Sequence, residues 1–317
     1  MIDQPMTPSA GGRHSKLIGA AEIGPTLLRF GRDGCSVCLG GLFKQGRPVA
    51  LVRELIRTGL SDLRLFSSPG SGYDVDLLIA AGRVAETFLP AVTLENRFCP
   101  SFRGAVERGE ITAHAIDALT VVGGLMAAAH GVPFQPVAAW AGSDVTSLNP
   151  LARPIASPFG DEPLYAVPAI RPDLVLLHAQ EGDEYGNLRN LSTMTYADAL
   201  MARAGQHVVA SVDKLVPNEA ILRDPRGTTV AGIYVDAVVE IPFGAHPTAS
   251  FPHYSMDESF IERFADLAEA GRRAGSTAEV TAYLERFVLG PADIFDYLEA
   301  LGGYRALAPL EREARFL

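Results

Sequence analysis

Over roughly the first 140 residues, short apolar runs closed by glycine alternate with segments whose apolar residues recur at helical spacing. That alternation leaves few folds open to the chain. Residues 36–39 form an extended apolar run that stops at Gly40-Gly41. Residues 48–58 place Val49, Val52, Leu55 and Ile56 on one helical face and end at Gly59. A strand over 63–67 follows, then the turn Pro69-Gly70-Ser71-Gly72, a short helix over 74–81 and an extended segment over 84–92 interrupted by Pro90. Helices over 101–107 and 115–130 complete the series. Such a succession joins parallel strands through right-handed crossovers.

Residues 141–162, rich in Pro, Ser, Gly and Asn, read as an exposed loop. Beyond it, 164–169 and 174–179 read as buried strands, 196–204 as a helix, and 207–215 and 235–241 as strands. The end of the chain is helical. Phe260, Phe264 and Leu267 share one face, as do Val280, Tyr283, Leu284 and Phe287. The expected architecture is a three-layer α/β domain over 26–317, built on an open, largely parallel sheet with a helical C-terminal appendage. Residues 1–25 are expected to form a flexible tail without the apolar core of a signal peptide. No apolar run is long enough to span a bilayer, so the cytoplasm is the expected compartment.

The net charge of −10 comes with no Lys/Arg cluster, which argues against nucleic acid as a partner. Three cysteines are too few for a disulfide framework. Cys35 and Cys38 form a C-x-x-C, but in an extended segment residues three apart face opposite sides, which disfavours a metal or redox pair. No pair of histidines has metal-ligand spacing, and no metal site is expected.

Several motifs carry possible chemistry. Gly41 and Gly46 have the spacing of a phosphate-binding loop, but Arg47-Pro48 stands where Lys and Ser/Thr are needed. The loop is then either a tight strand-to-helix turn or a glycine loop whose amides face a ligand. Gly70-Ser71-Gly72 opens a G-x-G whose third glycine is replaced by Val75, so a dinucleotide site is not supported. His246 follows a buried strand in a Gly/Pro setting and is either a hydrogen-bonded structural histidine or a site residue. No G-x-S-x-G elbow is present. Glu95-Asn96 lies between a strand and a helix, at the strand end where α/β folds keep their chemistry. Glu95 is either an exposed turn carboxylate or a proton carrier or nucleophile.

Taken in order, LGGLFKQGRP, LIRTGLSDLRLFSSPGSGYDVDLLIAAGRV, LENRFCPSFRGAVERGEI, HGVPFQPV, LVLLHAQEGDEYGN and ILRDPRGTTVAGIYVDAVVEIPFGAHPTASFPHY resemble the alpha subunits of family I CoA-transferases. The glutaconate branch is the nearest in kind. The resemblance covers roughly residues 30–300. It implies transfer of CoA between carboxylic acids through acyl-glutamyl anhydride and glutamyl-CoA intermediates. CoA thioester is then a substrate, and no tightly bound cofactor is expected. It also implies a homologous beta chain that supplies the nucleophilic glutamate, in a heterotetramer. Glu95 becomes a groove-lining counterpart of that nucleophile. Gly40, Gly41, Phe43, Gly70, Ser71, Asn96 and His246 become residues near substrate or CoA, with His246 close to the junction between the two chains. Two alternatives stay open: hydrolysis (of the ring-cleaving, steroid-degradation type) or decarboxylation of a CoA thioester on the same fold, and a non-catalytic assembly role.

Overall fold

The computed structural model describes residues 14–138, 140, 143–192 and 195–315. In chain order, α1 (Ile23–Phe30) precedes β1 (Ser36–Leu39), α2 (Val49–Thr58), β2 (Leu63–Phe66), α3 (Tyr73–Ala80), β3 (Val84–Phe88), α4 (Pro100–Glu107) and β4 (Thr112–Ala113). Next come α5 (Ala118–Ala129), β5 (Phe134–Val137), α6 (Val145–Leu148), β6 (Arg153–Ile155) and β7 (Leu164–Pro168). The second half holds β8 (Leu174–Gly182), β9 (Leu188–Arg189), α7 (Asp198–Ala204), β10 (His207–Leu215), α8 (Asn218–Arg223) and β11 (Ala237–Glu240). Four helices close the chain: α9 (Glu258–Ala274), α10 (Ala278–Leu284), α11 (Ile294–Ala300) and α12 (Tyr304–Ala314).

The main sheet runs β11-β10-β8-β1-β2-β3-β4, and every pairing along that path is parallel. Among the described residues only β9 joins it antiparallel, on β8. Strands β1 and β8 are buried along nearly their whole length, as parallel strands covered on both faces must be. One face packs against α1, α2, α3, α9 and α10, and the other against α5 and α7. Cys35 lies in the first of these cores and Cys38 in the second, so their side chains diverge across the sheet.

Local signals explain the helix ends. Gly59 terminates α2 with φ 81°, a left-handed position that favours glycine. Asp117 caps α5 by accepting from the amides of Leu119 and Thr120, and Asp257 caps α9 through the amide of Phe260.

Three expectations need correction. Residues 141–162 are not one loop, because α6 and β6 fall within them. Strand β7 is not a buried member of the main sheet. It is the half-exposed centre of a separate antiparallel sheet, β5-β7-β6, packed on α5. The tail expected to be flexible through residue 25 divides: residues 1–13 lie outside the described residues, but 16–18 run beside β11. There the Lys16 ammonium donates to the carbonyls of Gly232 and Val235 at 2.6 Å each, and the Ile18 amide donates to Val238 O at 2.9 Å. Among the described residues no helix is long and apolar enough to cross a membrane.

Candidate active site

The strand order reverses between β1 and β8, and the loop that leaves β1 at this switch point is Gly40–Arg47. In doubly wound folds ligands gather outside the carboxyl ends of the strands at such a point. Here the crevice itself is nearly filled. Gly41, Gln45, Gln180, Asn190 and Asp198 enclose about 10 Å³, room for one water.

The loop folds back on itself. Leu42 and Gln45 exchange both backbone hydrogen bonds, at 2.8 and 2.9 Å, which leaves Phe43-Lys44 as the tip of a two-residue turn. Gly41 is required twice over: its φ is 82°, and a Cβ there would lie 2.5 Å from Gly46 O. Most of the loop amides are spent inside the protein. Gly40 donates to Leu176 O, Gly41 to Asp198 Oδ1, Phe43 to Gly70 O, Gly46 to Ala249 O and Arg47 to Thr248 Oγ1. With these amides engaged within the chain, the loop lacks the run of free amides of a phosphate-binding loop, despite its glycine spacing.

A second two-residue turn faces the first. Ser71 pairs with Val92 and Thr93 with Phe98, and the Leu94 amide donates to Arg97 O at 2.9 Å, so Glu95-Asn96 is its tip. Both turns hold a non-glycine residue with positive φ at the first central position: Phe43 at 49° and Glu95 at 66°. That position ordinarily selects glycine, and left-handed bulky residues cluster where function requires them. The two tips meet through Lys44, whose ammonium is 3.8 Å from Glu95 Oε2 and 2.7 Å from Glu258 Oε1 at the start of α9. Lys44 is almost wholly buried, whereas the Glu95 side chain is 53% exposed, so the carboxylate faces outward.

Beneath both turns lies Arg47, fully buried. Its guanidinium donates to Asp74 Oδ2 at 2.7 and 2.5 Å, to Gly41 O and Ser67 Oγ at 3.2 Å, and to Gly70 O and Ser71 Oγ at 3.4 Å. One side chain thus ties the β1 loop, the end of β2 and the start of α3 together.

The residues singled out from sequence divide accordingly. Gly40, Gly41, Phe43, Gly70, Ser71 and Glu95 converge. Gly70 packs so closely under Phe43 that a Cβ on it would lie 2.1 Å from the ring. We expect Gly70→Ala to displace that ring and lower stability by roughly 1–2 kcal/mol. Phe43→Ala should relieve most of this in a double-mutant cycle read by chemical denaturation; strictly additive effects would show that the two do not press on each other.

Asn96 instead turns its amide toward Glu258 and Glu262 of α9, at 3.5 and 3.4 Å. His246 does not open to a ligand. It is fully buried, with Nδ1 2.8 Å from Tyr297 Oη and Nε2 3.3 Å from Asp257 Oδ2. Burial lowers its pKa, against the opposing pull of Asp257. The helices that enclose it arrive only later in the chain. Lys44, Asp74 and Asp198 carry no sequence signal that marks them. Asp198 is buried and its pKa is raised by that burial, while the amide of Gly41 donates to it at 2.8 Å.

A second polar cluster occupies the ends of β8 and β10. His178, Ser250, His253 and Tyr254 surround Asp213. Burial would raise the Asp213 carboxyl, but His178 and the hydrogen bonds from His178, His253 and Ser250 prevail and hold it at about 2. The segment that carries Ser250 also braces the β1 loop, since the Ala249 amide donates to Lys44 O at 2.8 Å.

The family profile described as coenzyme A transferase matches residues 28–241. The cholesterol ring-cleaving hydrolase IpdA subunit of Rhodococcus jostii is 34% identical over 75% of this chain and 83% of that protein. One of the subunits of 3-oxoadipate CoA-transferase from Pseudomonas knackmussii is 32% identical over 85% of this chain and 93% of that protein. The crystal structure of glutaconate coenzyme A-transferase from Acidaminococcus fermentans superposes with a TM-score of 0.84 at 26% identity, over 93% of this chain and 95% of that one. The chain spans 62% of the length of an uncharacterized protein from Archaeoglobus fulgidus, to which it is 32% identical over 89% of its own length. With its parallel sheet, its β1 glycine loop and these relatives, the chain belongs to the coenzyme A transferase family and is of the alpha type within it.

Proposed function

We propose that this chain is the alpha half of a two-chain enzyme that moves coenzyme A between an acyl-CoA thioester and a carboxylic acid, with a dicarboxylic or 3-oxo acid as the acyl group. The observation that carries this reading is that the site is half built. Its crevice is nearly filled and most of its loop amides are engaged within the chain, yet two strained turn tips carry Phe43 and the exposed Glu95 over the buried Lys44. A partner chain that docks there completes the site and supplies the nucleophilic carboxylate and the oxyanion-stabilising amides.

In the reaction, that carboxylate attacks the thioester carbonyl and expels CoA thiolate, giving an acyl-glutamyl anhydride. The thiolate then attacks the glutamyl carbonyl and releases the acyl group as its free acid. The incoming acid reverses both steps. Glu95 lines the groove opposite the nucleophile, oriented by Lys44. Glu258 and Asp266 engage the neighbouring cations Lys44 and Arg97, and Glu262 adds a further carboxylate, so we place the phosphates of CoA on the partner's side. The three free, buried cysteines fit a reducing compartment, and we place the enzyme in the cytoplasm.

The test is co-expression with the partner chain and assay over pairs of acyl-CoA and acid. Mass spectrometry should find the CoA adduct on a glutamate of the partner; an adduct on Glu95 would refute this assignment. Glu95→Gln should lower turnover about tenfold with the adduct still formed. Glu95→Gly removes the carboxylate together with its left-handed strain and should melt no lower than the parent. Full turnover in both variants would leave the chain with an assembly role only. Thioester hydrolysis is the second reading, favoured by the likeness to the IpdA hydrolase. It predicts CoA release without any acceptor acid.

A further inference from the structure

Away from the turn tips, a cavity of about 570 Å³ opens between the start of α1, the outer face of α2 and the start of α11. Its walls are mixed, apolar and polar in nearly equal measure, with Ile23, Ala50, Ile241, Ile294 and Tyr297 on the apolar side. Four charged side chains also line it: Arg53, Arg57, Glu54 and Asp293. Three of these are committed. Arg57 is paired with Glu54 and donates to the carbonyls of Val288 and Pro291 at 2.6 and 2.8 Å. Asp293 caps α11 by accepting from the amides of Phe295 and Asp296.

Arg53 differs. It is only 3% exposed, and no carboxylate lies within ion-pair distance of it among the described residues. Its guanidinium stacks on Tyr297, 3.6 Å from the ring centre, and one nitrogen donates to His246 O at 3.3 Å. A buried cation in such a setting is stabilised by an anion that meets its remaining N–H groups, and a planar guanidinium matches a carboxylate in two-point geometry. A cavity of this size that joins an apolar wall to one buried guanidinium without a carboxylate partner, its other charges being engaged, has the make-up of a small-molecule site.

We infer that this cavity is a second ligand site, separate from the turn tips, that takes a small carboxylate with a compact apolar body. The carboxylate sits on Arg53 and the body lies against Ile23, Ala50 and Ile294. Glu54 and Asp293 at the walls disfavour a second negative charge on the ligand.

The probe is benzoate, titrated calorimetrically into the full chain. Benzyl alcohol tests the need for charge, acetate the need for the apolar body, and phthalate the exclusion of a dianion. Benzoate should bind at least tenfold more tightly than each of the three. Arg53→Gln should abolish the preference for benzoate over benzyl alcohol.

Because a change at a buried arginine also perturbs folding, a second variant fills the cavity from its rim. Gly24 lies in α1, lines the cavity, and has nothing within 4 Å of a Cβ built on it. Gly24→Leu should keep the thermal melt of the parent and weaken benzoate at least tenfold. Equal binding of benzoate and benzyl alcohol, undiminished binding to Gly24→Leu, or no benzoate binding to the parent overturns the inference. None of these outcomes bears on the CoA-transfer reading.

Discussion

Arg47→Met is expected to destabilise the protein by about 3–5 kcal/mol, the usual consequence of stranding one member of a buried ion pair. Both Arg47 and Asp74 have fully buried side chains, so water cannot replace the lost partner. The loss also leaves Gly41 O, Gly70 O, Ser67 Oγ and Ser71 Oγ without the donor they share. Arg47→Lys keeps the charge but cannot reach these acceptors from one fork, and should fall between the two. Arg47→Met combined with Asp74→Leu should recover much of the loss, because the unpaired charge goes with its partner. Urea denaturation of the single and double variants checks this. A single variant within about 1 kcal/mol of the parent would show that the pair does not hold the loop. The functional consequence follows from geometry. Arg47 is what keeps Gly41 and Gly70 together under Phe43, so turnover should fall with the single variant even at temperatures where it stays folded.

The contrast between Arg47 and its glycine neighbours shows which features are legible in the sequence. Gly40, Gly41, Gly70 and Ser71 are readable because a strand that stops at glycine before a helix has few conformations, and the parallel topology then brings such loops to one edge. Arg47 reads only as a residue that spoils a phosphate-loop match; its partner Asp74 lies in the next crossover, and a buried pair leaves no periodic trace. Glu95 is noticeable by position, but its left-handed backbone is not, since the residue type argues against it. The Gly/Pro setting of His246 points toward a ligand, whereas its burial is decided by Asp257 and Tyr297, on segments that pack across it later in the chain. Strand β6 is equally hidden: Arg153-Pro154-Ile155 has no alternation to read, and its proline is tolerated because β6 is an edge strand.

Asp76 should make stability fall as pH rises from about 4 to about 7. Its carboxyl lies fully buried on α3, where Oδ1 accepts from the Phe102 amide at 2.7 Å and Oδ2 has no partner among the described residues. Burial pushes its pKa up to about 7, and the hydrogen bonds from Phe102 and Ser101 only partly offset that. The folded state therefore keeps a proton that the unfolded chain releases near the ordinary value of about 3.9. The stabilisation is complete below that value and is lost as pH climbs through 7. Asp213 and Asp257, both held at about 2, act in the opposite sense and in another window, losing their contribution only as pH drops below about 4. The raised pKa of Asp198 adds to the slope of Asp76, and the lowered pKa of His246 opposes it. The difference between the parent and Asp76→Asn removes these shared contributions. Asparagine keeps the acceptor for Phe102 and cannot ionise, so the variant should gain on the parent by on the order of a few kcal/mol between pH 4 and pH 8. Denaturant titrations at several pH values read the gain directly. Parallel curves for parent and variant would mean that Asp76 is already charged at pH 5 and that water or a rearranged Arg97 reaches its second oxygen.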